Sequence, residues 1–193
     1  MHRSTMTSVL LLLLGGCQQA DTEPFLEHAQ LLTAPVAVAE FNLLDQTRDS
    51  FTHSHLIGRW TLIFSGFTHC PDVCPTTLGV LRAAESQLAN SDHIQTVFVT
   101  VDPDRDSPEA QAEYLAAFNA DWIGLTGART ELDRLLTSLQ MAHVRVPTGN
   151  GNYTMDHATA VVLIDPSGRM TAYWTAPLSA DKIAEDLARL PAP

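Results

Sequence analysis

Two cysteines spaced i, i+4, Cys70 and Cys74, carry the strongest chemical signal in this chain. They follow an apolar run rich in β-formers, Trp60 to Phe67. They precede Pro75 and a Leu/Val pattern (Leu78, Leu81, Leu88) of helical spacing. The pattern predicts a buried strand, a break at Thr68-His69, and a helix from Pro75, since proline suits a first helical turn. The cysteines then sit on a strand-to-helix turn facing the positive end of a helix dipole, a field that favours thiolate and makes sulfur nucleophilic and metal-avid. In a roughly helical turn their Cα atoms lie about 6 Å apart on one face, which suits a disulfide and also lets both sulfurs reach one small ion. A purely structural bridge would staple only a short loop and remove little chain entropy.

Other chemistry-bearing residues are weaker signals. His53 and His55 form an H-x-H pair that in principle could hold copper, but on an exposed strand two histidines are ordinary surface residues. His157 follows a Gly/Asn-rich stretch, Val144 to Asp156, which reads as a loop of functional length. That loop and the neighbouring Asp156 leave its ring free to swing toward a site.

A chain of 193 residues suits one domain with a real core, and 45% apolar with 17% charged residues is globular rather than disordered. Eleven basic against 22 acidic residues give a formal charge of −11, and no basic run occurs anywhere. Nucleic-acid binding is thereby excluded, and neutral, cationic or metallic partners are favoured.

The first residues stand apart. Arg3 supplies a positive start, and Val9 to Leu14 an apolar core. About eight apolar residues cannot span a bilayer, which needs about 20, but they can direct export. Leu14-Gly15-Gly16-Cys17 looks like a bacterial lipoprotein cleavage box, so residues 1–16 are expected to be a signal peptide and Cys17 the lipidated residue. The domain is then anchored to a membrane of the cell envelope, outside the cytoplasm on the periplasmic side. Cys70 and Cys74 remain as a pair, which an oxidising compartment requires some thiol reductant to keep reduced.

Residues 17–40 show no sustained period and read as a tether, with one short apolar segment docked on the domain. Residues 41–193 form the domain proper. Phe41 to Trp60 suggests a hairpin around a polar tip, Gln46 to Ser50, that lacks the usual glycine. A strand at Ile94 to Val101 runs into Asp102-Pro103-Asp104-Arg105-Asp106-Ser107-Pro108, whose last two residues open a helix to about Phe118. A short strand (Trp122 to Leu125), a helix (Thr130 to Ala142) and a strand (Ala158 to Ile164) follow. Asp165-Pro166-Ser167-Gly168 makes a tight turn into Arg169 to Thr175, and Ser179 caps a last helix to Leu190. The alternation argues an α/β domain with a partly parallel sheet.

Taken in order, G-F-T-H-C-P-D-V-C-P-T-T-L, V-D-P-D-R-D-S-P, E-Y-L-A-A-F, I-G-L-T-G, and D-H-A with L-I-D-P-S-G resemble the Sco/SenC family over about Phe41 to Leu190. The resemblance implies a thioredoxin-like fold, a mixed sheet flanked by helices. It also implies a copper site made by Cys70, Cys74 and His157, and delivery of copper to the binuclear copper centre of cytochrome c oxidase. Ala158 departs from the family's usual Ser or Thr, which bears on hydrogen bonding around His157. The donor chemistry agrees: two thiolates select Cu(I), and one imidazole lets the site tolerate Cu(II). With no fourth ligand evident, the ion stays open to a receiving protein, whereas closed structural zinc sites have four ligands. Asp72 is too hard a donor for Cu(I) and is expected to shape the turn or meet a partner. Asp102, Arg105 and Asp156 are expected to support the turn or the site, and His69 to point away from the pair. The function expected is a copper carrier rather than an enzyme. The alternative is a thiol–disulfide oxidoreductase or redox sensor using Cys70 and Cys74 on the cysteines of a copper-receiving protein. A peroxiredoxin is disfavoured, because Phe67 and Pro71 stand where its T-x-x-C threonine would be.

Overall fold

The computed structural model describes residues 26–193, so the expected signal peptide and the expected lipidation site Cys17 lie outside the described residues. The elements follow in the order β1 (Gln30–Ala37), β2 (Asn42–Leu44), β3 (Ser50–Thr52), β4 (Trp60–Gly66), α1 (Val73–Glu85), β5 (Ile94–Thr100) and α2 (Pro108–Ala116). Next come β6 (Ile123–Leu125), α3 (Arg129–Ser138), β7 (His143–Gly149), β8 (Asn152–His157), β9 (Val161–Ile164), β10 (Arg169–Trp174) and α4 (Ala180–Leu187).

The apolar run before the cysteines becomes β4, buried at all seven positions. A strand covered on both faces reads as a continuous hydrophobic run, and this one does. It pairs in parallel with β5 and antiparallel with β9, near the middle of a six-stranded sheet of order β1-β10-β9-β4-β5-β6. Strands β4, β5 and β6 run parallel to one another, whereas the β4–β9, β9–β10 and β10–β1 pairings are antiparallel. Helix α1 packs beside α4, and α2 lies on β6. The fold is thioredoxin-like, as the family resemblance implies, and its partly parallel sheet is what the alternation of strands and helices led one to expect. Leu62, Ile63 and Phe64 are all but inaccessible. Burying such side chains contributes about 1.5–3 kcal/mol each. The strand that leads into the cysteine turn is therefore firmly held.

Three expectations need correction. The stretch assigned to a tether contains β1, which pairs with β10, and Leu26 and Val38 are buried, so the folded domain begins before residue 41. The buried carboxylate of Asp186 fastens this start, accepting the backbone N–H groups of Glu27 (2.7 Å), His28 (3.1 Å) and Ala29 (2.8 Å) and the Trp174 indole N–H (3.0 Å). The stretch read as a long loop before His157 is a two-stranded hairpin, β7 paired with β8. Asn150 and Gly151 both take positive φ (53° and 78°) at its tip, the geometry that an Asn-Gly pair supplies to tight hairpins. Helix α1 opens at Val73, two residues earlier than expected, because Pro75 lacks an N–H that the first turn could not have satisfied anyway.

The remaining elements follow their signals. Ser107 caps α2 by accepting the Ala110 N–H at 3.2 Å, with Pro108 at the first helical position. The β2–β3 hairpin forms without a glycine because Arg48 takes the left-handed conformation (φ 71°) and Asp45 Oδ1 accepts the N–H groups of Thr47 and Asp49. His53 and His55 fall in a short 3-10 turn, not on a strand. One contacts the Gly168 carbonyl and the other accepts the Thr52 N–H, so they form no common site.

Candidate metal centre

Beyond β4 the chain bends through Phe67 and is held at Thr68 by the carboxylate of Asp106, which is fully buried. Asp106 accepts the Thr68 hydroxyl (2.6 Å), the Thr68 N–H (3.1 Å) and the Thr100 hydroxyl (2.6 Å). Hydrogen bonds to a buried charged group are the stronger kind, so three of them fix where the cysteine turn begins. Cys70 is half-buried and donates its N–H to the Phe67 carbonyl at 3.1 Å. Cys74, inside the first turn of α1, is fully buried. Its backbone N–H points at Cys70 Sγ, 3.3 Å away, so a helix N-terminal donor is aimed at the first sulfur.

The second sulfur behaves otherwise. Burial pushes the Cys74 thiol well above the ordinary thiol range, and its hydrogen bond with Cys70 adds to this. The expected preference of a helix start for thiolate is therefore overridden at Cys74. Close packing is the reason: a Cβ on Gly66 would come within 2.9 Å of Cys74 Sγ and 2.7 Å of the Phe98 ring. Both cysteines are free thiols.

His157 ends β8 and turns its ring toward the pair. Its Nε2 lies 3.4 Å from Cys74 Sγ, and its Nδ1 lies 2.8 Å from the Ala158 carbonyl oxygen. That carbonyl accepts the Nδ1–H hydrogen bond, which leaves the unprotonated Nε2, with its lone pair, facing the sulfurs. Orientation comes from main chain, so the Ala158 departure from the family pattern leaves this contact intact. Phe64 and Phe67 pack edge-on around the ring, at 6.1 and 5.9 Å between centroids. Burial lowers the His157 pKa, keeping the imidazole neutral and ligand-competent.

A sulfur from each cysteine and a ring nitrogen of His157 lie within 4.8 Å of one another. Three atoms so disposed share a point no more than about 2.8 Å from each, near metal–sulfur and metal–imidazole bond lengths after small side-chain adjustment. The donor set fits a soft ion.

Comparison with known proteins agrees with this geometry. The SCO1/SenC family model matches residues 29–192. The chain belongs to the SCO1/SenC family. A Stutzerimonas stutzeri protein whose name proposes copper binding is 34% identical over 195 residues, covering 97% of this chain and 96% of that one. Bradyrhizobium japonicum ScoI, solved with copper bound, is 36% identical with a TM-score of 0.74 over 79% of this chain and 98% of that one. Yeast Sco1, also solved with copper bound, is 29% identical with a TM-score of 0.72, covering 79% and 87%.

Around the three donors, this SCO1/SenC chain arranges the other candidate residues unequally. Asp72 immediately precedes α1, accepting the Thr76 N–H through its backbone carbonyl at 3.1 Å. Its side chain is exposed and borders a largely apolar groove with Val73, Thr76, Val80, Pro177 and Leu178. Asp156 is exposed opposite Val144 and makes no side-chain hydrogen bond among the described residues. His69 is exposed, with Nδ1 3.0 Å from the Thr68 hydroxyl and outside the donor triangle. Asp102 is fully buried and pairs with Arg105. Tyr153, Phe67 and Asp106 escaped sequence reasoning. For Tyr153 the available signal was the Asn150-Gly151 turn, which turns a loop into paired strands with fixed partners.

Proposed function

We propose that this chain is a copper carrier of the cell envelope that delivers copper to the binuclear copper centre of cytochrome c oxidase, with Cys70, Cys74 and His157 as ligands. The observation that carries the proposal is the convergence of two thiols and one neutral imidazole, with no fourth donor beside them among the described residues. Copper-bound structures of two family members support it. Two sulfurs hold Cu(I) and the nitrogen extends the site to Cu(II). The coordination left open gives an acceptor's ligands a route of attack. Lipidation at Cys17 would keep the domain at a membrane outside the cytoplasm, where a thiol reductant must maintain the pair. Asp72 and the groove beside it would face the acceptor.

The free thiols, close enough for modest motion to join them, also favour a redox reading in which the pair reduces an acceptor's cysteines. The two are separable. Reduced protein titrated with Cu(I) and Cu(II) should take up one copper ion, and air-oxidised protein should form a Cys70–Cys74 disulfide and lose it. Copper held equally by both forms, or by a Cys70/Cys74 double mutant, would reject the carrier. Lipid attachment is checked by Cys17→Ser, which should leave the copper site intact and abolish membrane fractionation.

A further inference from the structure

Hairpin β7–β8 carries one proposed ligand but belongs to a separate two-stranded sheet, outside the six-stranded one. Backbone pairing with the main sheet therefore does not set the position of His157 against the cysteines. The short link from His157 to β9 and the contacts of side chains set it instead.

Tyr153 sits on β8, four residues before His157, and is flanked by two cations. The guanidinium carbons of Arg105 and Arg145 each lie 4.0 Å from its ring centroid. Its hydroxyl donates to Asp102 Oδ1 at 2.9 Å, and its carbonyl oxygen lies 3.4 Å from Arg105 Nη1. Arg105 in turn pairs with the other oxygen of Asp102. Arg145, on β7, pairs with Asp104, which Arg129 also approaches at 3.2 Å. Both strands of the hairpin are thus clasped onto the Asp102–Asp106 turn.

That turn also grips the other ligands. Asp106, four residues after Asp102, holds Thr68 at the start of the cysteine turn. One five-residue segment therefore fixes both halves of the donor set, through Asp106 to the sulfurs and through Asp102 and Arg105 to the imidazole. Arg105 also stands over the Phe67 ring at 5.7 Å, and Phe67 meets the His157 ring edge-on.

We infer that Tyr153, clasped by Arg105, Arg145 and Asp102, is a positioning residue that sets the His157 ring against Cys70 and Cys74. The inference rests on the copper reading of that site. Tyrosine suits the task because its ring attracts cations while its hydroxyl reaches a buried carboxylate. Phenylalanine would keep the first property, and alanine neither.

The test compares Tyr153→Ala and Tyr153→Phe with the wild-type chain, adding Cu(I) or Cu(II) alone. Removing an outer contact of a metal-bound histidine lowers affinity by about 10- to 100-fold. Tyr153→Ala, which reaches His157 through Arg105, Phe67 and the hairpin, should give the lower end of that range, about tenfold, for Cu(II), with a changed visible spectrum, while Cu(I) binding stays close to wild type. Tyr153→Phe should recover most of the Cu(II) spectrum. In the metal-free protein, Tyr153→Ala should speed amide hydrogen exchange across residues 143–157 and shift the His157 ring resonances. An unchanged Cu(II) spectrum, or equal losses of Cu(I), Cu(II) and thermal stability, would overturn the inference. If the wild-type chain takes up no copper, the carrier reading falls on its own. The metal-free exchange and ring signals then decide the clasp: altered in Tyr153→Ala they sustain it, and unaltered they overturn it.

Discussion

The two halves of the donor set are built differently. The cysteines stand on a turn between the fully buried strand β4 and helix α1, held by a carboxylate with no solvent access. The histidine stands at the foot of a hairpin whose first strand, β7, is mostly exposed, with Val144 and Val146 open to solvent. Core burial fixes the sulfurs, whereas the Tyr153 contacts to Asp102 and Arg105, two aromatic rings and one main-chain carbonyl place the imidazole. The comparison teaches that the soft donors are placed by strand and helix packing, and the borderline donor by a few side-chain contacts reaching from a separate hairpin. Such a division suits an ion that changes coordination on transfer.

The comparison breaks most visibly at the sulfurs. Cys70→Ala or Cys74→Ala should abolish tight copper binding altogether, measured as copper per protein after gel filtration. Next in size, Asp106→Ala strands the hydroxyls of Thr68 and Thr100 and should cost about 3 kcal/mol or more, judged from hydrogen bonds to charged groups at about 1.5–3 kcal/mol each. Urea denaturation checks it. Equal stability would mean that the cysteine turn is held by α1 alone. His157→Ala should weaken Cu(II) by at least about tenfold and Cu(I) much less, because two thiolates already satisfy Cu(I). Competition with chelators for each oxidation state separates the two.

Proton linkage sharpens the contrast further. Cys74 is held protonated at neutral pH by burial, so copper must displace its proton, and binding should release about one proton from this residue and strengthen as pH rises. Calorimetry in two buffers of different protonation enthalpy measures the release. His157 has the opposite relation to protons. Its pKa is lowered, so the folded state disfavours the charged ring. The stability gained from burying neutral imidazole is complete above the ordinary value near 6.5 and is lost as pH falls from there through the lowered value. Asp156→Asn, at an exposed side chain without a hydrogen bond, should change stability by less than about 0.5 kcal/mol.

Much of this division was legible in the residues themselves. The run Trp60 to Phe67 and the cysteine spacing placed the sulfurs correctly, because a strand buried on both faces announces itself in composition. Ser107-Pro108 marked a helix start for the same local reason. What escaped was non-local. Residues 30–37 have no clear alternation, since β1 is an edge strand with a break in register between Leu31 and Val36, and its pairing with β10 spans most of the chain. Hairpin β7–β8 was obscured by Pro147 and by the exposure of nearly all of β7. Asp106 and Tyr153 could not be assigned from spacing, because their partners lie 38 and 51 residues away. The expected thiolate character of Cys74 failed where packing outweighed a helix field.

If Cys17 carries lipid, as proposed, the latch at Asp186 sets how far the metal centre can travel. Through the register, Gln30 stands opposite Tyr173, Trp174 opposite Val161, and Val161 opposite Phe64. The chain therefore enters the sheet at the end where β4 gives way to the cysteines, three strand spacings or about 14 Å across. With lipid on Cys17, nine residues of leash ahead of Leu26 extend no more than about 30 Å. On that proposal the metal centre would stay within a thin shell above the membrane surface. Confinement of that kind raises encounter with an acceptor whose receiving ligands lie near the same surface, as any short linker raises effective concentration.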